Sequence, residues 1–310
     1  MAISKHSSGD RLYAIALYLF GGAVLLLLGL IVGSTVKLTI PALRQLGVSD
    51  FLLGQDWNPV NDSFGALPFL YGTLVTSLLA IAIAVPVGVG LALFLTEMAP
   101  ASLRRLVSFW VELLAAIPSV VYGLWGLIVL VPLLRSHIEP ALGRTLGFLP
   151  LFRGPPIGLG FLAAGMVLSV MILPTVTMVT IEVLRTVPET LREGVLALGA
   201  TRWESIRLTV LPFASRGIIG AIILGLARAL GETMAVTMVI GNQPEIHASL
   251  FAPGYSLPSV IANEFAEATG DIHIGALAAL ALVLFGVTFL LSAAARLLVL
   301  LSTRQRKIAA

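Results

Sequence analysis

The sequence predicts an all-α, polytopic membrane protein with six transmembrane helices. Three observations lead there: apolar runs long enough to cross a bilayer, a scarcity of charge, and basic residues gathered mainly in alternate connecting segments. Of the 310 residues 58% are hydrophobic and only 11% charged, whereas soluble domains carry about 25% charged residues. The absence of cysteine removes disulfides, thiolate nucleophiles and Cys-ligated metals. His6, His137, His247 and His273 are scattered without ligand spacing, so neither a metal nor another cofactor is expected.

A span needs about 17–25 apolar residues. The candidates are Leu12–Val32, Leu67–Leu95, Leu106–Leu134, Ile157–Leu184, Gly217–Ile240 and Ile274–Leu301. The first exceeds the ~7–15-residue core of a secretory signal and has no small-residue cleavage site after it, so it reads as a retained anchor. Lys5 and Arg11 precede it. Arg104 and Arg105 follow the second span, five arginines from Arg185 to Arg216 follow the fourth, and Arg304, Arg306 and Lys307 close the chain. That alternation predicts cytoplasmic N- and C-termini. The segment from Gly241 to His273 has no Lys or Arg and carries Glu245, Glu264, Glu267 and Asp271, as an outer loop would. Arg135, Arg144 and Arg153 fall on the outer side against this trend, and ordinary solvated loop charge accounts for them better than an anion lure. Pro86, Pro118 and Pro174 lie inside spans and predict kinks.

The segment "TVPETLREGVLALGATRWESIRLTVLP", Thr186 to Pro212, carries two capping-box patterns, Thr186 with Glu189 and Thr201 with Glu204. Gly199 between them suits a helix end that needs positive φ. Pro212 is expected to limit the second helix. The reading is a helical hairpin with Leu191, Val195 and Leu198 on one face of its first helix: a docking surface, or a connector lying on the membrane. A DNA-reading helix-turn-helix is disfavoured, because a loop pinned to the bilayer at both ends cannot easily enter a major groove, so no nucleic acid is expected.

"EGVLALGATRWESIRLTVLP" resembles the EAA loop of ATP-binding-cassette (ABC) importer permeases: E-A-A, three residues, Gly, nine residues, I-x-L-P. Glu193, Gly199, Leu211 and Pro212 match at that spacing, while Gly194, Val195 and Thr209 depart from it. Carried over, the resemblance assigns Glu193, Gly199, Ala200, Leu211 and Pro212 to a coupling contact, with coupling helices at about 188–210 that dock on an ATPase subunit. "WNPVNDSFGALPFLYGTLVTS", "IPSVVYGLWG", "ILPTVTMVTIEVLRTVPETLREG", "GLARALGETMAVTMVIGN" and "SLFAPGYSLPSVIANEFAEA" are similar to the phosphate importer permeases of the Pst system, and closer to the C-type subunit than to its A-type partner.

That resemblance implies a type I, MetI-like ABC importer permease core in a bacterial inner (plasma) membrane. It divides the chain into an anchor helix and outer loop (1–66), the permease domain (67–302) and a basic cytoplasmic tail (303–310). It implies a second permease subunit (PstA-type), two ATPase subunits (PstB-type), an extracytoplasmic phosphate-binding protein (PstS-type), membrane lipid around the spans, and inorganic phosphate as substrate. No G-x-x-x-x-G-K-[ST] sequence is present, so an ATPase would be a separate chain and this one not an enzyme. Runner-up readings are a permease for molybdate or sulfate, an ion-coupled secondary transporter, and a non-transporting membrane scaffold.

Arg228 and Glu232 stand out in the fifth span, where a charge costs at least ~2.5 kcal/mol in hydrocarbon. Counted from Gly217 as one straight helix, Arg228 lies about 16–17 Å along and Glu232 one turn further on the same face. Gly217, Ala221, Gly225 and Ala229 make a small-residue stripe suited to close helix contact, offset by roughly 60° from Arg228. The two charges read either as an anion station with Glu232 competing for the guanidinium, as a register-fixing ion pair, or as a proton relay through Glu232. The family's "RALGETMAV" segment, tied to translocation, adds weight to the first. Thr175, Thr177 and Thr180 are weaker pore-lining candidates, and Glu112 and Glu182 are expected to reach water or basic loops.

Overall fold

The computed structural model describes residues 8–308, with side-chain detail for residues 13–297. The orienting charges Lys5, Arg11, Arg304, Arg306 and Lys307, together with His6, lie outside those side chains. Among the described residues six helices are long and apolar enough to cross a membrane: Tyr13–Leu46, Leu67–Met98, Ser119–Leu146, Phe161–Arg185, Arg202–Leu230 and Asp271–Leu297.

Helix α1 (Ser8–Leu46) leads to the short α2 (Val48–Leu53) and a two-stranded hairpin, β1 (Trp57–Asn58) with β2 (Ser63–Phe64). Span two is α3 (Leu67–Leu93) prolonged by a π turn, Phe94–Met98. Its residues Gly72, Thr76, Ala80, Ala84, Gly88 and Ala92 recur every fourth position and are all buried. This stripe lets α3 lie closely along span four, α8 (Phe161–Arg185). A methyl at Gly88 would stand 3.1 Å from the Thr177 hydroxyl and 3.2 Å from Val176. The predicted stripe on span five packs on the same α8: methyls at Gly217 and Gly225 would strike Val183 and Val176 at 2.4 and 2.8 Å. Span four is therefore the buried centre of the bundle. Span six, α14 (Asp271–Ile308), pairs with α1, whose first half presents Leu17, Leu25 and Ile31 outward.

The third span is not Leu106–Leu134. Helix α4 (Ala101–Ala116) ends before Pro118, whose extended backbone separates it from α5 (Ser119–Trp125). The rod then continues through α6 (Val131–Leu133) and α7 (Glu139–Leu146), so it starts and ends later than hydropathy suggested. Pro118 breaks the chain, while Pro86 and Pro174 stay inside their helices.

Three other prolines show how a helix survives one. π turns at Gly126–Leu130, Leu134–Ile138 and Ile206–Val210 each end two residues before a proline, at Pro132, Pro140 and Pro212, whereas after the π turn Phe94–Met98 the helix stops, with Ala99 and Pro100 extended. The extra residue in the turn moves the carbonyl that the pyrrolidine ring would strike, without leaving the helix. Hence Pro212 does not limit the second hairpin helix. From α10 (Arg202–Ser205) the chain runs through the π turn into α11 (Leu211–Leu230) as one rod.

At the far end the segment after span five folds back into the bundle. The first N–H groups of α8 have no partner within their own helix. Phe161 and Leu162 donate instead to the carbonyls of Ala252 and Leu250. Leu257 N–H donates to Thr73 Oγ1 at 2.8 Å, where α13 (Leu257–Glu264) begins. Trp57 Nε1 donates to Glu264 at 2.8 Å and His273 meets the same carboxylate at 3.1 Å, tying the β-hairpin to α13 and span six. Burial among these rings pushes the Tyr255 phenol up to about 12.

Candidate functional site

Span five stops where a straight helix was expected to continue. Helix α11 ends at Leu230, Gly231 is its C-cap, and the chain turns through Glu232 and Thr233 into α12 (Met234–Thr237). Arg228 therefore sits in the last helical turn, where the carbonyl end of the dipole favours a cation by about 0.3–1 kcal/mol. Glu232 is outside the helix. Its carboxylate accepts from Ala235 N–H at 3.2 Å, capping α12. The expectation that Glu232 lies one turn along on the Arg228 face fails, because the Leu-Gly-Glu-Thr step leaves helical geometry. Among the described residues no ion pair within 4.0 Å joins the two, so the register-fixing pair is absent from this conformation.

The guanidinium is exposed and makes one long hydrogen bond, from Nη1 to Thr175 Oγ1 at 3.4 Å. It is also within electrostatic reach of the Tyr122 hydroxyl, which donates to Leu114 O at 2.7 Å across the Pro118 break. Two helix interruptions, at Pro118 and Gly231, thus meet around one cation. Most of its five N–H donors are uncommitted, and such a group binds an oxyanion bidentately. Thr175 belongs to this site. Thr177 and Thr180 are fully buried and do not line a surface.

At the opposite end the hairpin is present. Helix α9 (Glu189–Ala197) closes in a Schellman motif: Ala200 N–H donates to Val195 O at 3.3 Å and Gly199 N–H to Leu196 O at 3.0 Å. Gly199 has φ +88°, the conformation its position in the sequence called for. The Thr201–Glu204 capping box is formed in both directions. The Thr186–Glu189 box is not: Pro188 occupies the N-cap, and Thr186 Oγ1 donates back to Val183 O at 2.7 Å. Glu193 and Gly199 are exposed and Ala200 is half-buried, while Leu211 and Pro212 lie where the π turn enters the membrane rod. Leu198 is 89% exposed and Trp203 61%, so the hairpin offers apolar surface that nothing among the described residues covers.

The sequence reading missed a fastening at the base of this hairpin. Arg192 forms a bidentate pair with Glu97, Nη2–Oε1 2.8 Å and Nε–Oε2 3.1 Å. Glu97 was submerged at the end of an apolar run, and no local pattern links residues 95 positions apart. Of the arginines between spans three and four, Arg144 donates to Pro140 O, and Arg153 to Gly147 O and Phe148 O. Glu182 pairs with Arg185 at 2.7 Å, and Glu112 lines an open cleft with Arg104, Arg105 and Arg185.

A family model for the binding-protein-dependent transport system inner membrane component matches residues 84–300. The chain belongs to that family. The match spans the third, fourth and fifth rods, the hairpin and the Arg228 turn together. Among relatives of this family member, a phosphate transport system permease protein PstC from Mesorhizobium japonicum is 48% identical over 88% of this chain and 84% of its own length. One of the same name from Pasteurella multocida is 46% identical over 89% and 87%. Two solved structures share the fold. An inward-facing MetNI methionine ABC transporter chain has TM-score 0.53 and 22% identity, covering 76% of this chain and 93% of that one. A chain of a bacterial alginate ABC transporter has TM-score 0.62 and 17% identity, covering 94% and 96%. The protein is thus a multi-pass permease subunit of the ABC importer type.

Proposed function

We propose that this chain is the C-type permease subunit of an ATP-driven importer of inorganic phosphate. The near full-length identity of 48% to a phosphate transport permease carries the reading. The site supports it chemically, since Arg228 offers an exposed, always-charged fork to a phosphate oxygen pair. A PstA-type permease subunit completes the translocation path, two PstB-type ATPases dock on the α9–α10 hairpin, and a PstS-type binding protein delivers phosphate at the opposite face. In this arrangement the hairpin and both termini are cytoplasmic and the membrane is the bacterial inner membrane. Closure of the ATPase pair pushes the hairpin, and the rods running from it alternate access.

Arg228 is the transient anion contact in this scheme. Glu232 caps α12 in the present conformation and competes for the guanidinium only if the Gly231 turn rewinds. Glu193, Gly199 and Ala200 shape the docking face, and Leu211 and Pro212 begin the rod that carries its movement. Uptake of labelled phosphate into vesicles holding the full complex tests the reading. Uptake is expected to require ATP and to survive collapse of the proton gradient. Uptake that persists without ATP and vanishes with the gradient overturns it, and preferential uptake of molybdate or sulfate reassigns the substrate.

A further inference from the structure

Helix α9 is the element offered to an ATPase, yet none of its residues is buried. Apolar packing therefore does not fix it to the bundle. Among the described residues, Arg192 is the α9 side chain whose hydrogen bonds reach the membrane rods. Its guanidinium makes four bonds: two to Glu97, one from Nη2 to Leu184 O at 3.0 Å, and one from Nη1 to Val187 O at 2.6 Å. Glu97 belongs to the π turn that ends span two, and Leu184 to the last turn of span four. One side chain on α9 thus holds the ends of two rods.

We propose that Arg192 and Glu97 form a clamp that stays closed through the transport cycle, so that α9 moves as one body with spans two and four. The proposal rests on the transport reading above. Glu97 is 10% exposed and Arg192 20%, so opening the pair would strand a carboxylate in a nearly dry site. Arg192 also answers carbonyls that a helix C-terminus leaves unpaired, and its charge suits the negative end of span four. Four of its five donors are engaged, leaving little for a docking partner. Its neighbour Glu193, exposed, is the residue free to meet one. The end of span two is pinned a second time by Arg104 of α4, which donates to Leu95 O at 2.6 Å and Thr96 O at 3.1 Å. Beside the clamp, Ala92, Leu95, Leu184, Val187 and Val210 form a buried cluster that joins spans two, four and five. Arg192 is accordingly a positioning residue that acts through the rods and does not touch phosphate.

The test uses the complete transporter in vesicles, with phosphate import and ATP hydrolysis measured together. Parent complex that hydrolyses ATP but imports no phosphate would sink the substrate reading and leave the clamp to be judged on the anion it does import. In Arg192→Gln and Glu97→Gln, the anion imported per ATP hydrolysed is expected to fall about tenfold with the subunits still assembled. An unchanged ratio, with both rates lowered in parallel or not at all, overturns the proposal. A second variant does not depend on those: the chain lacks cysteine, so Glu97→Cys with Arg192→Cys can be joined by a short, reducible bifunctional thiol reagent. Linked complexes are expected to import at least as well as unlinked ones. Import that stops on linking and returns on reduction would show that the clamp must open, and the proposal would be wrong.

Discussion

Arg192 and Arg228 are chemically the same group at the carbonyl end of a helix, yet their surroundings differ in one decisive way. Arg192, at the base of the hairpin, spends four donors on Glu97, Leu184 and Val187 and is 20% exposed. Arg228, at the break in span five, spends one donor on Thr175 at 3.4 Å and is open. A saturated guanidinium fastens; an unsaturated one has capacity left for an anion. The same contrast separates the two ends of the molecule. The folded-back loop fills its own hydrogen bonds, as with Phe161, Leu162 and Leu257, whereas the hairpin leaves Leu198 and Trp203 uncovered for something else.

The sharpest way to break the comparison is Arg228→Gln. If the group is held in reserve for phosphate, import falls about a hundredfold, the factor for a lost charge-assisted contact of ~3 kcal/mol. Assembly and thermal midpoint stay near the parent's, because the residue holds little of the fold together. A variant that no longer assembles would make Arg228 a fastener after all, and one that imports normally would remove it from the path. The next largest effect is at Gly199→Val. A β-branched residue at φ +88° costs about 1–2 kcal/mol whatever space surrounds it. ATPase co-purification with the variant should drop about tenfold, and unchanged recovery would mean that the turn does not shape the docking face.

The order of these effects follows what could be read from the sequence. Gly199 and the Thr201–Glu204 box were legible because a cap is a local pattern of three to six residues. Spans one, two, four and six were legible because hydrophobic length is additive. The break at Gly231 was not, since "LARALGETMAV" keeps helical spacing and apolar content while the backbone leaves the helix over Gly231, Glu232 and Thr233. Hydropathy likewise ran through Pro118 as if it were Pro86, because whether a proline breaks, kinks or is absorbed by a π turn depends on the neighbouring rods. The Glu97–Arg192 pair had no sequence signal at all. Residue roles around Arg228 therefore came from the resemblance, and its geometry from the structure.

Leu198→Ser sharpens the contrast between the two ends. With 89% of the side chain exposed, the substitution removes no internal contact, so the thermal midpoint of the permease alone should not move. If a partner buries that leucine, the full complex loses part of the ~1.5–3 kcal/mol that burial is worth, about fivefold in ATPase affinity. A stability loss without a docking loss would reverse the assignment of covered and uncovered ends.

The smallest effect is expected at Thr175→Val. This isosteric change deletes the one acceptor that Arg228 uses among the described residues. At 3.4 Å the bond is near the limit of useful geometry, so its loss is worth a few tenths of a kcal/mol. Were Arg228 a fastener like Arg192, cutting its partner would cost stability and lower the maximal import rate, with the apparent phosphate affinity unchanged. Held in reserve, it loses only orientation. Import should then fall about twofold through a weaker apparent phosphate affinity, with the maximal rate nearly unchanged. A full kinetic curve in vesicles separates these outcomes where a single uptake value would not.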